Sequence, residues 1–86
     1  MDNATNGGAS STAEALKVAI TQAVPDAKVE VLSSGGGHYS LEVRSTAFRD
    51  RSTLERHRMV YTAIAALMAG DTAPVHAIDT LKTATD

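Results

Sequence analysis

Phe48-Arg-Asp-Arg-Ser-Thr-Leu-Glu-Arg-His-Arg-Met-Val-Tyr61 holds four of the five arginines of an 86-residue chain and, in its middle, the start of a helix. Ser52-Thr-Leu-Glu55 fits a capping box, in which the serine hydroxyl accepts from the third helical amide while the glutamate reaches back to the serine amide. Behind it Leu54, His57, Val60, Tyr61, Ile64, Leu67 and Met68 recur at helical spacing, and Gly70 suits a C-terminal cap. Pro74 then leads into Val75-His-Ala-Ile78 and an extended run to Leu81, read as a strand.

Upstream, Tyr39, Leu41 and Val43 alternate with Ser40, Glu42 and Arg44, and Lys28-Val-Glu-Val-Leu32 alternates in the same way. Ser33-Ser-Gly-Gly-Gly37 breaks the pattern between them, so the two strands form a hairpin around a glycine-rich loop. A second capping box, Ser11-Thr-Ala-Glu14, opens a helix through Leu16 and Ile20 that Pro25 stops, giving a span of 12 to 24. A strand-helix-strand crossover returns the last strand parallel to the one before. The order is α-β-β-α-β: one α+β domain over 11–83 with a three-stranded mixed sheet and helices packed on it. A disordered tail over 1–10 is expected before the domain, and a C-terminal end at 84–86 after it.

The chain is one small domain, able to bury about 60% of the surface its unfolded form exposes. Hydrophobic residues make up 43% without a run long enough to cross a membrane, so a soluble protein is expected. Met1 to Ser10 contain Asp2 and neither lysine nor arginine, which fits no signal or transit peptide, and cytosolic residence is the expectation. There is no cysteine, which excludes disulfides, a catalytic thiol and any thiolate cage made by this chain alone. The net charge of −2 hides a basic segment, for between Arg44 and Arg58 the five arginines face only Asp50 and Glu55.

Three histidines are the candidate ligands. Strand parity sets His76 on the face of Ile78, where it is either a histidine satisfied by the backbone or a metal ligand. His38 follows three glycines on the mobile edge of the hairpin, where glycine freedom would let its imidazole swing to an external ligand. His57 falls on the apolar stripe of the second helix and reads as a packing residue. Arg49, Arg51, Arg56 and Arg58 form either a solvated helix start or a surface for phosphate or an acidic partner. Glu30, Glu42 and Asp79 read as solvated strand residues. No nucleophile elbow, phosphate loop or metal-hydrolase motif is present, so an enzyme is not expected.

Phe48 to Ser52, Arg56-His-Arg-Met-Val-Tyr61, Val75-His-Ala-Ile78 and the strand start Gly37-His-Tyr39 together resemble the BolA family over roughly residues 11 to 83. Asp50 stands where the family usually has a turn glycine, and aspartate accepts left-handed backbone better than most residues, so the turn is expected to be kept. The chain also ends Lys82-Thr-Ala-Thr-Asp86 in place of the Thr-Pro-x-x-Trp segment of many relatives. The resemblance implies a fold similar to the type II KH domain, although the Gly-x-x-Gly that clamps nucleic acid is missing. It further implies a monothiol glutaredoxin partner and a bridging [2Fe-2S] cluster, with thiolates from the glutaredoxin and glutathione and nitrogen from His76 and, second, His38. No cofactor is expected in the isolated chain. The alternative it implies is a DNA-binding regulator using the arginine-rich segment, and a homodimer of the free chain is left open.

Overall fold

The computed structural model describes residues 7–85. Helix α1 spans Gly7–Ala23, strand β1 Lys28–Gly35, strand β2 His38–Arg44, a 3₁₀ turn Thr46–Phe48, helix α2 Thr53–Met68 and strand β3 Ala77–Ala84. The strands lie in the order β1-β2-β3, with β1 antiparallel and β3 parallel to the central β2. This is the expected α-β-β-α-β order and mixed sheet. Among the described residues no helix is long and apolar enough to cross a membrane.

Both helices cover one face of the sheet, because only that face of the strands is apolar. Tyr39, Leu41 and Val43 point alternately inward from β2 and are buried. They meet Leu16, Ile20 and Val24 from the first helix segment, Val60 and Ile64 from α2, and Phe48 and Val75 from the connections. Val29 and Val31 of β1, with Ile78 and Leu81 of β3, pack against the same cluster. The opposite face is open, and Leu32 on it is 72% exposed.

The junction from β2 into α2 is held by local hydrogen bonds. Ser45, fully buried, donates its hydroxyl to the Pro25 carbonyl and accepts from the Ala47 amide at 2.9 Å, tying the start of the 3₁₀ turn to the end of α1. Asp50 has φ +63°, so the turn survives without its usual glycine. The capping box forms as read: the Glu55 amide donates to Ser52 Oγ at 3.1 Å and the Ser52 amide to Glu55 Oε1 at 3.0 Å. At the far end Gly70, with φ +88°, turns the chain back, and the Val75 amide donates to the Leu67 carbonyl at 3.1 Å.

Several expectations need correction. Helix α1 begins at Gly7, not beyond Ser11, so residues 7–10 of the supposed tail are helical, while 1–6 lie outside the described residues. A cap-like tetrad does not stop a helix whose preceding residues include no proline, since serine and threonine cost only a modest amount in a helix interior. Leu54 and Tyr61 are 59% and 39% exposed, off the buried stripe. Val60 and Ile64 set that stripe, and Leu54, six residues before Val60, lies about 120° around a helix of 3.6 residues per turn. Strand β3 runs Ala77–Ala84 rather than Val75 to Leu81, because Val75 is drawn into the core by its bond to α2 before the ladder begins.

Candidate metal centre

The hairpin between β1 and β2 turns through three consecutive glycines, Gly35, Gly36 and Gly37, with φ of +95°, +64° and +81°. Such a run is open to glycine and costly for other residues. The turn is not free to swing. The Gly37 carbonyl accepts from the amides of His76, at 2.8 Å, and Ala77, at 3.2 Å, which staples the hairpin tip to the chain entering β3.

That staple brings the two histidines to one corner of the sheet. His38 is the first residue of β2 and pairs with Ala77, the residue after His76. His76 packs over the turn: a Cβ built on Gly37 would lie 3.0 Å from its Cγ and 3.2 Å from its Cβ and Cδ2. Gly37 is therefore required twice, by its backbone angle and by the imidazole seated against it. The His76 side is exposed while Ile78 packs on the core, so the two do not share a face as parity implied. His76 precedes the ladder, and the regular alternation of β3 does not reach it. Its ring makes no hydrogen bond or ion pair among the described residues.

His38 sits in a strand rather than on a mobile loop edge, and its ring is engaged. Its Nδ1 lies 2.9 Å from Asp79 Oδ1, both side chains being about half exposed. Asp79 is therefore a paired residue and not the solvated strand residue that its sequence suggests. It is the extra residue of a bulge, since Tyr39 pairs with Ile78 and Ser40 with Thr80. Bulges re-aim side chains, which brings the carboxylate to a histidine 41 positions away. Glu42 likewise has a partner, Arg44 Nη2 at 3.3 Å. Exposed pairs of this kind contribute about 0–1 kcal/mol to stability, so neither is needed to hold the fold.

Two neutral imidazoles are borderline nitrogen donors suited to iron, zinc or copper. Among the described residues no three of His, Cys, Asp and Glu converge as a metal cage. The described residues therefore form no metal cage by themselves, and His76 and His38 are the two nitrogen donors at this corner. His57 stays half-buried on α2, apart from any hydrogen bond or ion pair among the described residues.

The arginines form a second surface. The Arg56 guanidinium lies 5.9 Å from the centroid of the Phe48 ring and its Nε donates to the Arg51 carbonyl at 3.1 Å, so it folds back onto the turn. Arg49, Arg51 and Arg58 are exposed and have no carboxylate partner among the described residues. One concave surface lies on the outer sheet face, lined by Glu30, Leu32, Ser40 and Lys82, and another beside Arg58 and Met59 between the helices.

Comparison with known proteins places this architecture. The solved structures that resemble it include a BolA homologue of Coxiella burnetii, a Bol-like protein of Babesia bovis and BolA1 of Mus musculus. The Coxiella protein is 29% identical with a TM-score of 0.68, covering 84% of this chain and 87% of its own. The Babesia protein is 28% identical with a TM-score of 0.65, over 85% and 83%. The mouse protein is 29% identical with a TM-score of 0.65, over 96% and 73%. No curated protein sequence matches the chain. The family model described as BolA-like protein matches residues 10–86, which takes in both the left-handed turn at Asp50 and the histidine corner; this chain belongs to the BolA-like family.

Proposed function

We propose that this chain is a non-enzymatic partner of a monothiol glutaredoxin, and that the two share a bridging [2Fe-2S] cluster in iron-sulfur trafficking, assembly or iron regulation. The observation that carries the reading is the exposed His76 imidazole, unengaged among the described residues, seated on Gly37 and one residue before the strand partner of His38. A chain with no cysteine offers nitrogen and no thiolate, so the glutaredoxin cysteine and glutathione complete the ligand set. Imidazole in place of thiolate makes such a cluster less negative and raises its reduction potential, as in Rieske centres. Affinity then also depends on histidine protonation, because only neutral imidazole ligates.

The chain's own contribution is placement. Gly37 holds the hairpin tip against the entry to β3, which sets the backbones of His38 and His76 at one corner of the sheet. The experiment is to mix the protein with a cluster-loaded monothiol glutaredoxin and follow visible circular dichroism. His76→Ala is expected to abolish the spectrum of the mixed-ligand cluster, with His38→Ala weakening it. An unchanged spectrum in His76→Ala removes the ligand assignment, and no complex with the unmodified chain removes the larger reading.

A second reading has its own observation. Arg49, Arg51 and Arg58 are exposed cations without carboxylate partners among the described residues, a surface open to phosphate. A DNA-binding role requires affinity that falls steeply with salt, the slope following the number of phosphates neutralised. Salt-independent or undetectable binding removes it.

A further inference from the structure

The start of β2 is flanked by irregularities on both sides. On β1 Ser33 pairs with Tyr39 and Gly35 with His38, leaving Ser34 as an extra residue. On β3 Asp79 is the extra residue. Both extras reach His38: Ser34 Oγ donates to its carbonyl at 3.3 Å, and Asp79 Oδ1 meets its Nδ1 at 2.9 Å. Two bulges in a three-stranded sheet that converge on one residue fix that residue's backbone from one side and its ring from the other.

We infer that Asp79 is the positioning residue of His38, holding its imidazole as the Nδ1–H tautomer with the Nε2 lone pair turned outward as the ligand atom. A carboxylate only accepts, so the nitrogen facing Asp79 Oδ1 must carry the proton. In a neutral ring the other nitrogen is then bare. The half-exposed pair stabilises the fold little, which leaves orientation of the ring as its consequence. Carboxylates in this position behind metal-bound histidines fix the tautomer and raise ligand basicity. The inference rests on the proposed function, and adds to it a residue that does not itself touch the cluster.

The test has two arms. In the isolated chain, nitrogen-15 NMR of the imidazoles is expected to show His38 protonated at Nδ1, and in Asp79→Ala to show the proton redistributed toward Nε2. Asp79→Asn, whose amide oxygen still accepts, is expected to restore the original tautomer. In the glutaredoxin complex, cluster retention under chelator challenge should fall about 10- to 100-fold in Asp79→Ala, with Asp79→Asn falling less. The same Asp79→Ala change should have no effect in a His38→Ala background. An Nε2–H tautomer in the unmodified chain overturns the inference, as does an equal loss from Asp79→Ala with and without His38. Absence of any cluster-bridged complex overturns the proposed function and with it the ligand role of the pair, while the tautomer is decided by NMR independently.

Discussion

The arginine-rich junction and the histidine corner are built by opposite means. At the junction, Ser45, Ser52, Glu55 and Arg56 are bound to partners mostly within a few residues: Ser52 and Glu55 to each other, Ser45 to Ala47, Arg56 to Arg51. At the corner, Gly37 meets His76 and His38 meets Asp79, contacts that exist only after β3 has crossed over to lie beside β2. The first region anchors the fold, since it buries Phe48 and Ser45 completely. The second is half exposed and contributes little to stability. Conspicuous chemistry and structural weight have parted company, for the motif richest in charge serves the core and the sparser one offers ligands.

Substitutions can break that contrast, and stability is the scale on which to rank them. Phe48→Ala, at the fully buried heart of the junction, should lose about 3–5 kcal/mol in urea unfolding, as large-to-small core changes do. A loss below about 1 kcal/mol would mean the junction is not an anchor. Gly37→Ala should cost about 1–2 kcal/mol from its left-handed backbone alone. It should also push His76 from its seat, read as altered His76 ring shifts by NMR, and unaltered shifts would show the seat is dispensable. Ser52→Ala removes the capping box and should cost about 1 kcal/mol, seen as a lower thermal midpoint, with the histidine ring shifts unmoved. A change at the histidines in Ser52→Ala would couple the two regions and dissolve the distinction between them.

The same division explains what could be read from the chain in advance. The start of α2 was legible because a capping box is a four-residue device whose donors and acceptors all lie in the local sequence. The left-handed turn at Asp50 was legible through the resemblance, which puts a turn glycine at that position, and through aspartate's tolerance of such backbone. The strand directions followed from the hairpin and from the crossover that returns β3 parallel to β2, and the central strand buries Tyr39, Leu41 and Val43 as its pattern required. The corner was legible only in its ingredients. His38 and His76 could be singled out as residue types beside glycines, but their adjacency depends on strand register, and a one-residue slip changes every neighbour. Asp79 was missed because a bulge, which nothing in Ala77-Ile-Asp-Thr80 announces, is what turns its carboxylate toward His38. The start of α1 at Gly7 was not legible, because Gly7 and Gly8 are poor helix formers and the cap-like Ser11 tetrad lies inside the helix. Leu54 and Tyr61 stay exposed because residues at mixed three- and four-residue spacing spread around the helix beyond the stripe set by Val60 and Ile64.

The paired hydrogen bonds from the His76 and Ala77 amides to the Gly37 carbonyl bear on the order of events during synthesis. A ribosome delivers the hairpin and both helices before the segment that carries His76. In a chain that has reached only Gly70 the hairpin tip has nothing to close upon. Only when β3 is added does the corner exist. Any ligand held by both histidines is therefore acquired by finished molecules, and unfinished ones are passed over without a separate inspection step.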